Sequence, residues 1–370
     1  MTDNSPLDPR ILRAMLEELA RGDGPSIAEL RRDPRLAGEF RDERDMGPLR
    51  AAAFRVSRAT PAATCCAPVS PPCPRRPIRS HSIQRAGPIQ RLADATNHVL
   101  MFRMDLRLDE RPLANARPVG VRDATTFPGL CNEHDTSLFR EIEARSLIAP
   151  TTEQLFLLSY RAVLRELYAK RCQEEQSRQM VRMVAEDPGA SPYAVAVAIS
   201  HAYDVYVGTH HLTQAKLAHD AVWKTRTYDR FFRFITRRTR PVAFAVASFF
   251  TPIYDFSGAA IPHGAPRAAL PSLTLDVAPD GDGTLISLAI QRRHARALGP
   301  ILDRLERTVD EAEFIGCIWE LALRNCENLV LAPGAWAGLA QHQRDAIERF
   351  FTDTIHSRWV PWIGVAPPEP

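Results

Sequence analysis

Residues 65–84 read CCAPVSPPCPRRPIRSHSIQ, and residues 127–139 read FPGLCNEHDTSLF. The first stretch and the residues just before it are rich in proline, with six prolines at positions 61, 68, 71, 72, 74 and 77. Proline fixes φ and has no backbone N–H, so this segment can form neither a regular helix nor a central strand. An irregular segment of this length inside a folded chain needs something to hold it, and a bound metal ion would do so.

The two stretches together contain a set of candidate metal ligands. Cys131 and His134 have C-x2-H spacing, which lets a tight turn and the start of a helix direct both side chains to one ion. Cys73 and either Cys66 or its neighbour Cys65 would supply the other two ligands. Three thiolates and an imidazole suit a closed, tetrahedral structural zinc site. The alternative is a set of free, partly buried thiols in a proline-rich loop.

Length and composition describe a folded, multi-domain protein. The chain has 370 residues, which is enough for two to three domains. Apolar residues make up 45% and charged residues 25%, which argues against wholesale disorder. The net charge of +3 excludes a polybasic, histone-like binder but leaves room for a local basic patch.

The N-terminus and the cysteines predict a cytoplasmic protein. The first residues, MTDNSPLDPR, contain no basic segment followed by an apolar one, so no secretory signal is expected. In a reducing compartment, clustered cysteines are more often metal ligands than disulfides. The longest apolar stretch, residues 242–254, contains Pro252 and is too short to cross a bilayer, so no membrane association is expected.

Periodicity divides the chain into four parts. Residues 1–60 are predicted to be a helical N-terminal arm, and residues 61–150 a small α+β module that contains the cysteine cluster. Residues 151–240 are predicted to be helical, with two long helices separated at Pro188 and Pro192 and a third segment at residues 230–240. Residues 241–370 are predicted to be α/β, because apolar runs flank the Asp280-Gly281 turn and two helical patterns follow.

The cysteine-rich region resembles a known group of bacterial proteins. IRSHSIQ with cysteines upstream, and GLCNEHDTSLFREIE downstream, resemble the Cys…Cys…SHSIQ…FC-x2-HD-x2-LF-x2-IE pattern that this group shares. The resemblance covers residues 62–143 well, and the C-terminal part, including CENLVLAPGAWAGL, more loosely. It also implies a role in bacterial defence or in a mobile element.

More distantly, the same region is similar to the HNH, or treble-clef, nucleases. That resemblance implies a treble-clef-like zinc module in which Cys66, Cys73, Cys131 and His134 hold a structural Zn²⁺. His81 would be the general base that takes a proton from the water attacking a phosphodiester, and Asp135 would bind a catalytic Mg²⁺ or Mn²⁺. Backbone phosphates of DNA or RNA would be contacted by arginines 75, 76, 79, 85 and 91. Ser80 departs from the pattern, because many such nucleases have a metal ligand there.

Two functions follow from these expectations. The first is a zinc-binding, HNH-like protein that cleaves or binds nucleic acid. The second is a catalytically inactive, zinc-stabilised scaffold that binds another protein through its helical regions. The expected fold is α+β, with the zinc module between the helical arm and a larger region that is first helical and then α/β.

Other chemistries have little support in the sequence. No G-x-S-x-G elbow and no glycine-rich phosphate loop is present, so serine hydrolysis and nucleotide chemistry are not expected. Histidines 201, 210, 211 and 219 lie in a predicted helix without H-x3-H spacing, and we interpret them as exposed or satisfied helix residues. The basic run at residues 230–240 is interpreted as an amphipathic helix with a solvated basic side, the alternative being a nucleic-acid groove.

Overall fold

The computed structural model describes residues 47–61, 63–105, 113–145, 147–190, 192–263, 269–355 and 359–370. The helices predicted before residue 47 lie outside these residues. The chain divides into two compact units, one comprising residues 1–62, 106–111 and 169–213, and the other residues 63–105, 112–168 and 214–370. The predicted mixture of helix and sheet is confirmed. No helix in the described part of the chain is both long and apolar enough to span a membrane.

The smaller unit is helical where it is described. Helix α1 (Gly47–Val56) places Leu49, Ala52 and Val56 on one side, at the three- and four-residue spacing of a helical stripe. These side chains share a core with apolar residues from the 169–190 and 192–213 segments, among them Val181 and Ala198. The unit therefore has its own small hydrophobic core.

The larger unit is built on a seven-stranded antiparallel sheet. Its strands are β2 (His98–Asp105), β3 (Leu113–Gly120), β5 (Phe232–Thr239), β6 (Phe244–Phe250), β7 (Leu273–Asp280), β8 (Gly283–Gln291) and β9 (Leu329–Leu331). Their order across the sheet is β3-β2-β9-β6-β7-β8-β5. A separate two-stranded sheet pairs β1 (Arg79–His81) with β4 (Thr126–Pro128). Strands β2 and β3 come from the range predicted as the cysteine module, yet they pair within the large sheet.

The helices follow the chain in this order: α2 (Gln90–Leu92) after a π-helical turn (Arg85–Ile89), α3 (Asn132–Glu143), α4 (Thr152–Glu186), α5 (Pro192–Thr225), α6 (Tyr228–Phe231), α7 (Gly299–Arg307), α8 (Glu311–Asn325), α9 (Pro333–Gly338) and α10 (Gln341–Thr354). The long helices predicted on either side of Pro188 are thus present as α4 and α5. Residues 299–325 form two helices, α7 and α8, because Asp310 caps the second by accepting the N–H of Glu313.

The large sheet is apolar on both faces, since each face is covered. On one face, Leu275 of β7 and Leu288 of β8 belong to the main core, which they share with apolar residues of α7, α8 and α10. On the other face, Leu285 and Ala289 of β8 pack with Leu157 and other residues of α4. Both faces of the central strands are therefore inaccessible to bulk water.

The two edges of the sheet are protected in different ways. At β3, the N–H groups of Ala114 and Ala116 donate to Thr352 and Glu348 of α10, each at 2.9 Å. At the other edge, β5 carries arginines that pair with neighbouring groups, including Arg233 with Glu306. Unsatisfied edges invite pairing with other chains, and both devices reduce that risk.

The interpretation of residues 230–240 as a helix is wrong. Only Tyr228–Phe231 is helical, and β5 pairs along its whole length with β8. The alternation of Phe232 and Phe234 with Arg233 places the two rings together, stacked at 6.0 Å between centroids. Apolar residues alternate with polar ones at a period of two, as in a strand. The arginines at the C-terminal end of the segment make the sequence resemble an amphipathic helix.

Candidate metal centre

Four side chains form a cluster with the composition of a zinc site. The thiol sulfurs of Cys65, Cys73 and Cys131 and a ring nitrogen of His134 all lie within 4.8 Å of one another. The Cys73 and Cys131 sulfurs are 3.9 Å apart, and Nδ1 of His134 lies 3.4 Å from the Cys65 sulfur and 3.3 Å from the Cys131 sulfur. Ordinary zinc bond lengths in a tetrahedron give about 3.8 Å between sulfurs and about 3.5 Å between sulfur and nitrogen. The Cys3His cluster could therefore hold one metal ion.

Two elements bring these ligands together. Cys131 precedes helix α3, whose first turn carries His134. The proline-rich loop is fastened to the residues before Cys131 by two main-chain bonds, from the N–H of Cys66 to the Gly129 carbonyl at 2.9 Å and from the N–H of Ile78 to the Leu130 carbonyl at 2.8 Å. Because these bonds flank Cys73, both ends of the loop are fixed against the turn that leads into α3.

The cluster contains Cys65 and not Cys66, the two cysteines between which the sequence left the choice open. Cys65 is buried, and its sulfur accepts the main-chain N–H of Cys131 at 3.3 Å. The Cys66 thiol instead lies 3.5 Å from the Thr64 carbonyl, outside the cluster. Side chains of consecutive residues in extended backbone point to opposite sides, so only one of the two cysteines can face the other ligands.

The thiols of Cys65 and Cys131 have pKa values that shift in opposite directions. Burial raises the pKa of Cys65 to about 11, despite the N–H donors of Cys131 and Ala67. Burial also acts to raise the pKa of Cys131, but the N–H of His134 and the thiols of Cys65 and Cys73 outweigh it, and that pKa lies below its ordinary value. Since zinc binds thiolates, loading this cluster would release protons from the thiols.

His81 lies at the end of β1 with one ring nitrogen already engaged. Its Nε2 is 2.9 Å from the Val121 carbonyl oxygen, which can only accept, so Nε2 carries the proton and Nδ1 has the lone pair. The pKa of His81 is lowered, mainly because the ring is half-buried and also because Arg85, Arg161 and Arg79 are near. The imidazole is therefore neutral at pH 7.

Asp135 lies one residue after His134, in the first turn of α3. Its pKa is raised because the carboxyl is buried, although Arg161, Ser80 and His81 partly offset that effect. Within the described residues, the Cys3His cluster is the only group of three or more potential metal ligands. Asp135 thus belongs to no cluster in that part of the chain that could bind Mg²⁺ or Mn²⁺.

The arginines predicted to contact phosphates are exposed on the surface around this site: Arg75, Arg76, Arg79 and Arg85. Arg75 pairs with Glu133, and Arg79 pairs with Asp123 at 3.0 Å. Arg91, further along, lies 3.5 Å from the Gly281 carbonyl. Exposed ion pairs of this kind contribute little to stability. Either arginine could therefore leave its carboxylate and contact another anion at little cost.

No protein-family model matches the chain, and neither a curated protein nor a solved structure is significantly similar to it. The site must therefore be interpreted from its own geometry.

Proposed function

We propose that the protein binds one structural zinc ion through Cys65, Cys73, Cys131 and His134. The observation that carries this proposal is the agreement of three interatomic distances with those of a tetrahedral zinc complex. Zinc would hold the proline-rich loop, which has few backbone donors, against the start of α3. Elemental analysis of the purified protein should find about one zinc per chain, and a value near zero in protein made with ample zinc would refute the proposal.

We further propose that the zinc-held module acts on nucleic acid as an HNH-like hydrolase. Two features support it: β4 pairs with β1 and leads through Cys131 into α3, which resembles a ββα arrangement interrupted by β2 and β3, and the Val121 carbonyl fixes the His81 tautomer. A neutral imidazole with a free Nδ1 can take a proton from water that attacks a phosphodiester. The exposed arginines 75, 76, 79 and 85 would hold the phosphate backbone.

The residues present do not fit a catalytic Mg²⁺ or Mn²⁺. Such ions require oxygen ligands, whereas Asp135 is a single carboxyl with a raised pKa, and the Arg161 guanidinium lies near it. Within the described residues Asp135 therefore has no partner ligands for a second metal, and its carboxyl would act only as a neighbour of His81.

This misfit favours the second candidate, a zinc-stabilised scaffold that cuts nothing. The two candidates differ at His81. If the module is a hydrolase, nicking of supercoiled plasmid by the zinc-loaded protein should fall at least 100-fold in His81→Ala, a loss on the order expected for a general base. Arg55→Ala, an exposed residue of helix α1, serves as a surface control and should leave nicking unchanged. Intact plasmid after long incubation, with or without added Mg²⁺ or Mn²⁺, would exclude the hydrolase and leave the scaffold.

A further inference from the structure

An exposed aromatic side chain lies next to β5, the outermost strand at one edge of the large sheet. Phe231 is the last residue of helix α6 and is 46% exposed, whereas Phe232, the first residue of β5, is buried in the core. The guanidinium of Arg230 lies 5.6 Å from the centre of the Phe231 ring. The backbone that carries the ring is thus fixed, while nearly half of the side chain remains open to solvent.

A 3-10 turn (Arg292–His294) lies beside α6. It follows β8, whose last residue, Gln291, pairs with Phe232 at the start of β5. Arg292 connects the turn to α6, since its Nε donates to the main-chain carbonyl of Asp229 at 2.7 Å. The arginines of this turn and the ring of Phe231 therefore belong to one continuous surface.

Four arginines are exposed on this surface, which we call the arginine surface: Arg230, Arg292, Arg293 and Arg296. Arg293 is held by its Nε, which donates to Nε2 of His294 at 3.2 Å. His294 is buried, and this burial, together with the charge of Arg293, lowers its pKa to about 4, so the ring is neutral and can accept the bond. Within the described part of the chain the four side chains make no hydrogen bonds besides those of Arg292 and Arg293, so most of their N–H groups are available to a ligand.

The positive charge of the arginine surface is not balanced by neighbouring carboxylates. None of its arginines forms an ion pair with a described residue, whereas Arg226 and Arg233, on either side of α6 in the chain, pair with Glu153 and Glu306. Asp229 is the only acidic residue in the segments 228–232 and 291–299, which make up this surface. A local excess of unpaired guanidiniums favours an anionic partner.

We infer that the arginine surface binds single-stranded nucleic acid. Guanidiniums suit phosphate oxygens, which they can contact through two N–H groups at once. The exposed ring of Phe231 beside them offers a platform on which a base can stack, and unpaired strands have base faces free to do so. An acidic peptide would use the arginines but would gain nothing specific from the ring. The surface contains neither a zinc ligand nor His81, so the inference holds whether or not the module proposed above cuts nucleic acid.

The test measures binding of labelled oligothymidylate and oligouridylate, each about 16 nucleotides long, to the full-length, zinc-loaded protein by fluorescence anisotropy. Comparison of the two probes distinguishes DNA from RNA as the source of the strand. The double variant Arg230→Ala/Arg296→Ala should reduce the slope of log affinity against log salt by about 1.4, because each phosphate contact to a single strand contributes about 0.7. Arg349→Ala, an exposed residue of α10, which covers the opposite edge of the sheet at β3, is the matched control and should bind as the wild type does.

Substitutions of Phe231 separate nucleic acid from other anions. Phe231→Leu keeps an apolar side chain but removes the ring, and it should weaken binding of the oligonucleotides about tenfold with an unchanged salt slope, whereas Phe231→Tyr should bind as the wild type does. A polyglutamate peptide of matched length should bind more weakly than the oligonucleotides and should not respond to Phe231→Leu.

Three results would overturn the inference: no binding of either oligonucleotide, equal losses in the double variant and in Arg349→Ala, or an unchanged affinity in Phe231→Leu. Polyglutamate that binds as tightly as the oligonucleotides would overturn it as well, since the surface would then attract any polyanion. Oligonucleotide binding that depends on the arginine surface in a protein that leaves plasmid intact would refute the hydrolase alone and support this inference.

Discussion

The hydroxyl of Ser159 lies 3.1 Å from Nε2 of His219, with both side chains fully buried between α4 and α5 in the larger unit. Nδ1 of the same ring lies 2.8 Å from the Ala215 carbonyl, so it carries the proton and Nε2 accepts from Ser159. His219 is therefore a neutral, satisfied residue, as the sequence interpretation of the helix histidines allowed. Burial lowers its pKa to about 4, and the Ala215 carbonyl and Asp220 only partly oppose this effect.

Acid should destabilise the protein through His219. In the unfolded chain its pKa is about 6.5, so between pH 6.5 and 4 the unfolded state binds a proton that the folded state does not. Stability from this group is complete above pH 6.5 and declines as the pH falls, by about 3 kcal/mol near pH 4. Urea unfolding of wild type and His219→Gln at pH 7.5 and 5 measures this, because the variant should lose less stability between the two. Equal losses would show that His219 is not the group responsible.

Asp276→Asn should have the opposite pH signature. The folded pKa of about 8 lies above the unfolded value of about 3.9, so the unfolded state releases a proton first and stability falls as the pH rises through this window. The isosteric amide cannot ionise. The variant should therefore gain stability relative to wild type as the pH rises from 5 to 8, by several kcal/mol at the upper end. If the difference in unfolding free energy between Asp276→Asn and wild type stayed constant across that range, Asp276 would not be a buried, protonated acid.

Cys65→Ser and Cys66→Ser form a matched pair for the zinc site. The first removes a ligand from the cluster, whereas the second changes a neighbouring thiol outside it. Cys65→Ser should lower zinc content from about one per chain to near zero in competition with a chelator, while Cys66→Ser should retain it. The reverse result would restore the assignment of Cys66.

The hydrogen bonds that protect the edge of β3 can be tested by replacing one hydroxyl of α10 with a methyl group. Thr352 accepts the N–H of Ala114 and is 2% exposed, so Thr352→Val leaves a buried donor unsatisfied and should cost about 1–3 kcal/mol in urea unfolding. Thr354→Val, two residues on, removes a hydroxyl that donates to the carbonyls of Leu323 and Phe351 and accepts no edge N–H, so its effect should be smaller. Similar losses of unfolding free energy in the two variants would show that the bond from the Ala114 N–H to Thr352 contributes no more than the hydroxyl contacts of Thr354.

The sequence predicted best what depends on local pattern. The periodicity of residues 151–186 predicted α4, and the Asp280-Gly281 turn predicted the β7–β8 hairpin, where Gly281 has a φ of 59°. The spacing of Cys131 and His134 likewise predicted two neighbours in the metal cluster, since a turn and a helix start fix their separation.

What it could not predict depends on long-range pairing. Cys65 and Cys66 have the same chemistry, and only contacts with residues 129–131, more than sixty positions away, distinguish them: the Cys66 N–H donates to Gly129, and the Cys65 sulfur accepts from the Cys131 N–H. From the sequence, Asp276 looks like a solvent-facing residue of an alternating strand, but α4 covers the face on which it lies. The β5 strand is defined by its pairing with β8, which begins more than forty residues later in the chain.

The proposed zinc ligands would also constrain how the chain folds. Cys73 and Cys131 are 58 residues apart, and between them the chain leaves to form β2 and β3 of the large sheet before it returns to pair β4 with β1. A metal ion bound here would close a long loop between Cys73 and Cys131. The chain entropy lost on closure is offset only when β2 and β3 have paired within the large sheet. Zinc affinity would then depend on assembly of the large sheet. A destabilising substitution in β2 or β3, far from any ligand, would weaken zinc binding.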